Sequence, residues 1–539
     1  MKKCIVKNTN TVLGAQYLVN LLTECGIDTV FGYPGAPILP IYDALSKTNK
    51  ITHYLVRHEQ AAIHSAEGYA KSNTQNKCGV VLVTSGPGFS NVVTGLANAY
   101  LDKTPLVIIS GQIENPNQNE FQDIDIKSIA KPCTKNCYEI NKADDIEKAL
   151  KNAIYDAEKF PQGPVLVTVK NSALLDETTN TFDYKVSQDI KVGAPHSYVK
   201  EMLKSLQNAK SPIMIVGGGA KNAKQEILEF VRFSHIPVVN TLMGTGCVDE
   251  ISMGLIGVNG LEHLNQKIKN ADVVISVGTR FSSRTTLSKS SFLKNSKIYN
   301  INIEENISPN VKIERNLIGE AKVILQHIIG TIKAQNILFN INYRWIESFE
   351  NNFVSDESTK LTQELAIKTI YEHTKRYYPI VTTDVGLHQV VTAKIFKTPD
   401  MNHFLTSGGL GVMGFGLPAS VGAQIANPNS PIIAISGDGS FQMNIQELGT
   451  IAQYNLPIKM FVMNNSSLGM ISKTQIESYS KKYQSDMLNP DFTQIARAYG
   501  ILGYKISTKN QLEKALSEIF VCKKPVLLDI TTVLWWFLV

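Results

Sequence analysis

The sequence predicts an α/β protein of three domains, each a doubly wound parallel sheet. Three observations carry this. The chain has 539 residues, more than one hydrophobic core usually supports. Short β-branched apolar runs alternate with helical patterns from end to end. Those runs are continuous rather than alternating, which marks strands buried on both faces.

In chain order the runs are GVVLVTS (79–85), PLVIISG (105–111), GPVLVTV (163–169), PIMIVGG (212–218), DVVISVG (272–278), PIIAISGDG (431–439), IKMFVMNN (458–465) and KPVLLDI (524–530). Two stretches break the pattern. Residues 176–196 are polar and weakly periodic, and 335–362 are rich in Asn and Ser. Linkers there divide the chain into domains at 8–175, 190–335 and 360–539. A Gly-rich turn follows a strand in each, with no close internal repeat.

Composition is that of a soluble globular chain, 43% hydrophobic and 19% charged. The net charge of +6 arises from basic residues that do not cluster, so neither nucleic acid nor membrane is expected as a partner. No uncharged apolar run reaches the length of a membrane span. The final VLWWFLV is only seven residues long. The N-terminus lacks the apolar core of a secretion signal. Seven cysteines (Cys4, Cys25, Cys78, Cys133, Cys137, Cys247, Cys522) fit no metal or redox spacing. They read as reduced thiols, and a cytoplasmic location is expected.

The strongest chemical signal is IIAISGDGSFQMN…IKMFVMNNSSLGM. One apolar strand ends at Gly437-Asp438-Gly439, and a second ends at Asn464-Asn465. A diphosphate needs a hard divalent cation, and Mg²⁺ takes oxygen ligands. Asp438 offers a carboxylate and Asn465 an amide oxygen. Gly437 and Gly439 let the main chain approach phosphate. Ser440 opens a helix whose free N–H groups face the anion. Both loops lie at carboxyl ends of strands, where open α/β sheets bind ligands. The pattern resembles the thiamine diphosphate signature, which implies Ser467 as a third, main-chain metal ligand.

Within VRHEQAAIHSAEGYA (56–70), Glu59 starts a helix. Alone it reads as an acid favoured by the helix dipole. Beside a thiamine site it gains a task. The cofactor's aminopyrimidine must become an imino tautomer to deprotonate the thiazolium carbon, and a carboxyl on a ring nitrogen stabilises that tautomer. The resemblance to thiamine-dependent decarboxylases and carboligases carries this role to Glu59.

Longer blocks narrow the family. VFGYPGAPILPIYDAL (30–45), RHEQAA (57–62), the stretch 80–112 and FQDIDI…PCTKNCYEI (121–140) look like the catalytic subunit of acetolactate synthase, as do TTDVGLHQ (382–389), TSGGLGVMGFGLPASVGA (406–423) and NNSSLGMI (464–471). The resemblance implies the thiamine diphosphate-dependent carboligase fold. The first domain would hold the pyrimidine, the middle domain would be Rossmann-like, and the third would hold the diphosphate. It implies that pyruvate loses carbon dioxide and the remaining two-carbon unit joins a second 2-oxo acid, giving acetolactate for branched-chain amino acids. Met413 would wedge the cofactor into a bent shape. Gln122 and Lys135 would line the substrate side, with Met470 above it. Gly35 and the turn Gly86-Pro87-Gly88 would lie near the cofactor, and His388 in a loop approaching the pyrimidine. Glu59 and Asp438 would meet across the interface of a homodimer or homotetramer, leaving a monomer inactive.

Departures from the family pattern bear on the rest. For FAD, Gly257, Gly260, Asn265, Arg280 and Arg284 fit. Asn259, Ser282-Ser283 and the run NIN at 300–302 replace His, two Asp and an Asp-Ile-Asp pattern. The middle domain therefore reads either as an FAD site or as a domain kept for structure. Thr474 stands where the family has a Trp that shapes the second-substrate pocket, which would widen it. Ala36-Pro37 replaces Gly-Ala, Leu387 replaces Gln, and the family's C-terminal arm is missing, which predicts a more open site or a different lid. Three functions remain: an acetolactate synthase, another 2-oxo acid decarboxylase or lyase, and a non-catalytic binding homologue. Whether a small regulatory subunit joins is open.

Overall fold

The computed structural model describes residues 11–75, 77–114, 121–179, 182–186, 193–287, 292–305, 308–339, 361–520 and 522–533. Cys4, most of the second expected linker and the apolar tail after Val533 lie outside them. The first sheet contains β1 (Thr29–Gly32), β2 (Thr52–Leu55), β3 (Gly79–Val83), β4 (Leu106–Gln112), β5 (Cys137–Ile140) and β6 (Pro164–Lys170), in spatial order 2-1-3-4-6-5. Two of its helices matter for function: α1 (Glu59–Ser72) and α2 (Pro87–Asp102).

The middle sheet contains β7 (Ile213–Val216), β8 (Val238–Asn240), β9 (Ser252–Leu255), β10 (Val273–Val277), β11 (Lys297–Asn302) and β12 (Ile313–Ile318), in order 9-8-7-10-11-12. The third contains β13 (Ile380–Thr383), β14 (Phe404–Leu405), β15 (Ile432–Gly437), β16 (Lys459–Asn464), β17 (Leu502–Ile506) and β18 (Val526–Thr531), in order 14-13-15-16-18-17. Its helices include α3 (Leu387–Ile395), α4 (Gly416–Ala426) and α5 (Gly469–Tyr479). Every pairing within the three sheets is parallel.

The first and third sheets thus share one strand order, although their sequences show no repeat. Strand order reverses between their first and third strands, and such switch points hold ligands in open α/β sheets. Central strands β3 and β15 are buried at every residue. The six cysteines among the described residues are free. No helix among these residues is long and apolar enough to cross a membrane.

Helices α1 and α4 cross where glycines allow the backbones to touch. A Cβ on Gly422 would meet the Ser65 carbonyl at 1.8 Å, and one on Gly68 the Ala419 carbonyl at 2.0 Å. Ser65 Oγ donates to the Pro418 carbonyl at 3.0 Å across the same crossing. Neither backbone can yield a full methyl's width without shifting a domain. Gly422→Ala is therefore expected to cost about 3 kcal/mol, read as a lowered thermal midpoint.

Candidate active site

At the third domain's switch point, β15 ends on Gly437 and hands Asp438 to a short helix. Asp438 is 3% exposed. Its Oδ2 accepts from the Ser466 and Asn465 main-chain N–H groups (2.7 and 3.1 Å) and from Asn489 Nδ2 (2.8 Å). Its Oδ1 accepts from the Gly439 N–H at 3.0 Å. Burial holds the carboxyl above its ordinary range, and these donors offset only part of that rise. Ser466, at φ 54°, turns the chain after β16 so that both N–H groups face the carboxylate.

Asn465 Oδ1 accepts from the Ser467 N–H at 3.0 Å. The Ser467 hydroxyl bonds away from Asp438, to Ser472 Oγ and the Ser485 carbonyl. Its own carbonyl accepts no main-chain hydrogen bond among the described residues. One carboxylate, one amide oxygen and one carbonyl suit Mg²⁺, with phosphate oxygens and water completing the shell. Among the described residues no group of three His, Cys, Asp or Glu could hold a metal alone. Gly439 forms the cradle: a Cβ there would meet Leu468 at 2.9 Å and Met413 Cε at 3.6 Å. Ser440 donates to the Val385 carbonyl at 3.1 Å.

His388 is not in a loop. It lies in the first turn of α3, buried, with Nε2 accepting from the Gly437 N–H at 3.2 Å. Burial pushes its pKa down to about 3, so the ring is neutral. It shapes the strand end that presents Asp438.

At the first domain's switch point, Gly35 follows β1 and Thr84 follows β3. A Cβ on Gly35 would meet Thr84 Cβ at 2.4 Å. Gly86, at φ +57°, and Pro87 at the first helical position start α2. Gln122 packs on this turn, and its Oε1 accepts from Ser85 Oγ at 3.1 Å. Glu59 sits in the first turn of α1, capped by His58. Its Oε2 accepts from Asn91 Nδ2 at 2.9 Å, and its Oε1 would lie 3.5 Å from a Cβ on Gly88. Glu59, Gly35, Gly88 and Gln122 thus form one cluster.

Lys135 is elsewhere. Its Nζ donates to the Asp156 and Lys159 carbonyls, at the end of helix Ile146–Glu158. Free C-terminal carbonyls attract a cation, so here the side chain caps this helix. Met470, 37% exposed, lies on α5. No hydrogen bond among the described residues joins the Glu59 cluster to the Asp438 cluster.

Family models match all three domains: the N-terminal, central and C-terminal domains of thiamine pyrophosphate enzymes, over residues 13–129, 199–328 and 384–530. An acetolactate synthase large subunit from Haemophilus influenzae is 36% identical over 543 residues, 96% of this chain and 94% of that protein. A probable acetolactate synthase large subunit from Methanococcus aeolicus is 37% identical, over 96% and 91%. The chain belongs to the acetolactate synthase large-subunit family. It is a thiamine diphosphate-dependent enzyme. The isozyme 3 large subunit of Escherichia coli, also in this acetolactate synthase family, is 36% identical over 94% of this chain and 92% of its own.

In this chain the middle domain's switch point, between β7 and β10, opens on a cavity of about 1020 Å³. Gly218, Gly219 and Gly278 line it, together with Lys221, Arg280 and Arg284. Asn265 does not reach into it. Both ends of its amide clamp the main chain of Gly257, each at 2.9 Å. Gly257 is at φ +95°, and a Cβ there would meet the Arg284 carbonyl at 2.6 Å. Asn265 and Gly257 therefore shape the loop that carries Arg284.

Glu447, which sequence reasoning missed, joins the first and third domains. It accepts from the Arg57 N–H at 2.9 Å and from Thr450 Oγ1 at 2.7 Å. Burial raises its pKa to about 7. A carboxyl raised in the folded state binds protons there that the unfolded chain has lost, so its ionisation erodes stability as pH rises from about 4.5 to 7. Glu447→Gln is expected to remove this slope. The variant's stability relative to the parent should grow by up to about 3 kcal/mol between pH 5 and 8, read as thermal midpoints across that range.

Proposed function

We propose that the chain is the catalytic subunit of an Mg²⁺-dependent acetolactate synthase, joining two 2-oxo acids in branched-chain amino-acid biosynthesis. The observation that carries this is the pair of half-sites at equivalent switch points of two like sheets. Glu59 is at one, and Asp438, Asn465 and the Ser467 carbonyl are at the other. When bound, thiamine diphosphate supplies the carbon nucleophile and the electron sink. Asp438, Asn465 and Ser467 hold the cation that neutralises its diphosphate. Met413, beside Gly439, would support the cofactor from its apolar side. Glu59, oriented by Asn91, holds the proton at a pyrimidine ring nitrogen. Gln122, beside Gly86, faces the substrate.

Because no hydrogen bond among the described residues joins the two clusters, the complete site is assigned to a homodimer or a larger assembly of it. Its relatives' names describe them as large subunits, and a smaller regulatory subunit is the corresponding partner proposed here. FAD, held without redox use, is the proposed ligand of the 1020 Å³ cavity, with Arg280 and Arg284 as counter-charges. Thr474 lies exposed on α5, its hydroxyl donating to the Met470 carbonyl. A small side chain there leaves room for a bulky second acid. The test is to supply purified protein with thiamine diphosphate, Mg²⁺, FAD and pyruvate. Carbon dioxide and acetolactate are expected together. Carbon dioxide without a condensed product would assign the chain to the decarboxylases instead.

A further inference from the structure

Helices α1 and α2 lie side by side and are joined by three polar rungs. Asn91 donates to Glu59, Asn98 Nδ2 donates to Glu67 at 2.7 Å, and Lys71 donates to Asp102 at 2.7 Å. Asn91, Asn98 and Asp102 are spaced i, i+7, i+11, which is one stripe of a helix. The lower two rungs also reach into the third domain. Asn98 Oδ1 accepts from Ser407 Oγ at 2.6 Å, and Asp102 Oδ1 accepts from the Gly409 N–H at 2.7 Å. Ser407 Oγ in turn accepts from the N–H groups of Val412 and Gly411 (2.8 and 3.1 Å). Ser407 and Asn98 are 1% and 0% exposed. Met413 is the next residue along this loop.

We propose that Asn98 and Ser407 are positioning residues. They fix the loop that carries Met413 against the same helix that orients Glu59, so that α2 sets the activating groups of both half-sites. The physical reason is the density of the link. One buried hydroxyl satisfies two main-chain N–H groups and donates to an amide whose other end is bound to a buried carboxylate. Removing the hydroxyl leaves those groups unpaired and releases the turn before Met413. In a dimer, the Glu59 and the Met413 held by one α2 serve different active sites, so the helix also ties the two sites together. The proposal rests on the reading of Met413 as a support for the cofactor.

The test uses the reconstituted holoenzyme and follows deuterium exchange at the thiazolium carbon of bound thiamine diphosphate, which needs no substrate. Ser407→Ala is expected to slow exchange by about 10- to 100-fold while cofactor affinity is retained, and Ser407→Thr to restore most of the rate. Ser65→Ala, which cuts a different buried bond between the same two domains, is the control and should exchange normally. Normal exchange in Ser407→Ala, or an equal loss in Ser65→Ala, overturns the proposal. Met413→Ala separates its two layers. Slow exchange there with normal exchange in Ser407→Ala removes the clamp alone. Normal exchange there removes the reading of Met413 and the proposal with it. Should Ser407→Ala fail to fold, Asn98→Ser cuts the same contact while leaving the Gly411 and Val412 N–H groups paired, and is held to the same outcomes.

Discussion

Replacing Glu59 with Gln is expected to lower kcat by about 10²- to 10⁴-fold while thiamine diphosphate and Mg²⁺ still bind. The amide keeps the length of the side chain and can still accept from Asn91. What it loses is a carboxyl that exchanges a proton with a ring nitrogen. The cluster around it is close-packed: a Cβ on Gly35 or on Gly88 would meet the Thr84 side chain at 2.4 or 2.6 Å. Steady-state kinetics with saturating cofactor, together with calorimetric titration of the cofactor, read the two effects separately. An unchanged kcat would remove Glu59 from the activating role.

Asp438→Ala is expected to weaken thiamine diphosphate binding by on the order of 100-fold or more, since it removes the only charged protein ligand proposed for the cation. The metal-free protein should also lose stability, because the Gly439, Asn465 and Ser466 N–H groups and Asn489 lose their buried acceptor. The difference appears on adding cofactor. A ligand at about 100 times its Kd stabilises the native state by about 2.7 kcal/mol. The parent should show that rise in midpoint with thiamine diphosphate and Mg²⁺, and the variant should not. A variant that still gains the full shift would place the cation elsewhere.

The parts of the site legible in the sequence are those made of neighbours along the chain. Gly437-Asp438-Gly439 and Asn464-Asn465 each follow an apolar strand, and the two loops lie on adjacent strands β15 and β16. Glu59 was legible because it opens a helix within a block of characteristic residues. The helpers were not. Asn489 donates to both Asp438 and Asn464 from a distant turn, and Asn91 reaches Glu59 from another helix. A lone Asn in a sequence carries no sign of its partner. Tertiary context also gives two expected site residues contacts that the sequence does not show. Lys135 looked like a substrate-side cation, yet three-dimensional folding brings it to the exposed carbonyls of a helix end. Asn265 looked like a ligand-facing residue, yet it satisfies both main-chain groups of Gly257. The strand order shared by the first and third domains has no sequence repeat behind it. Burial on both faces demands only apolar, β-branched residues, so the same topology is reached by unlike strings.

The central claim is that catalysis needs Glu59 from one copy and Asp438 from another. Mixing Glu59→Gln protein with Asp438→Ala protein, each inactive alone, tests it directly when subunits are allowed to exchange. In a mixed dimer, one site pairs the two altered residues and the other pairs Glu59 with Asp438, both intact. Random exchange should restore activity to about a quarter of that of the parent's sites. A mixture that exchanges subunits yet stays inactive would mean that the two residues act within one chain, and would contradict the account.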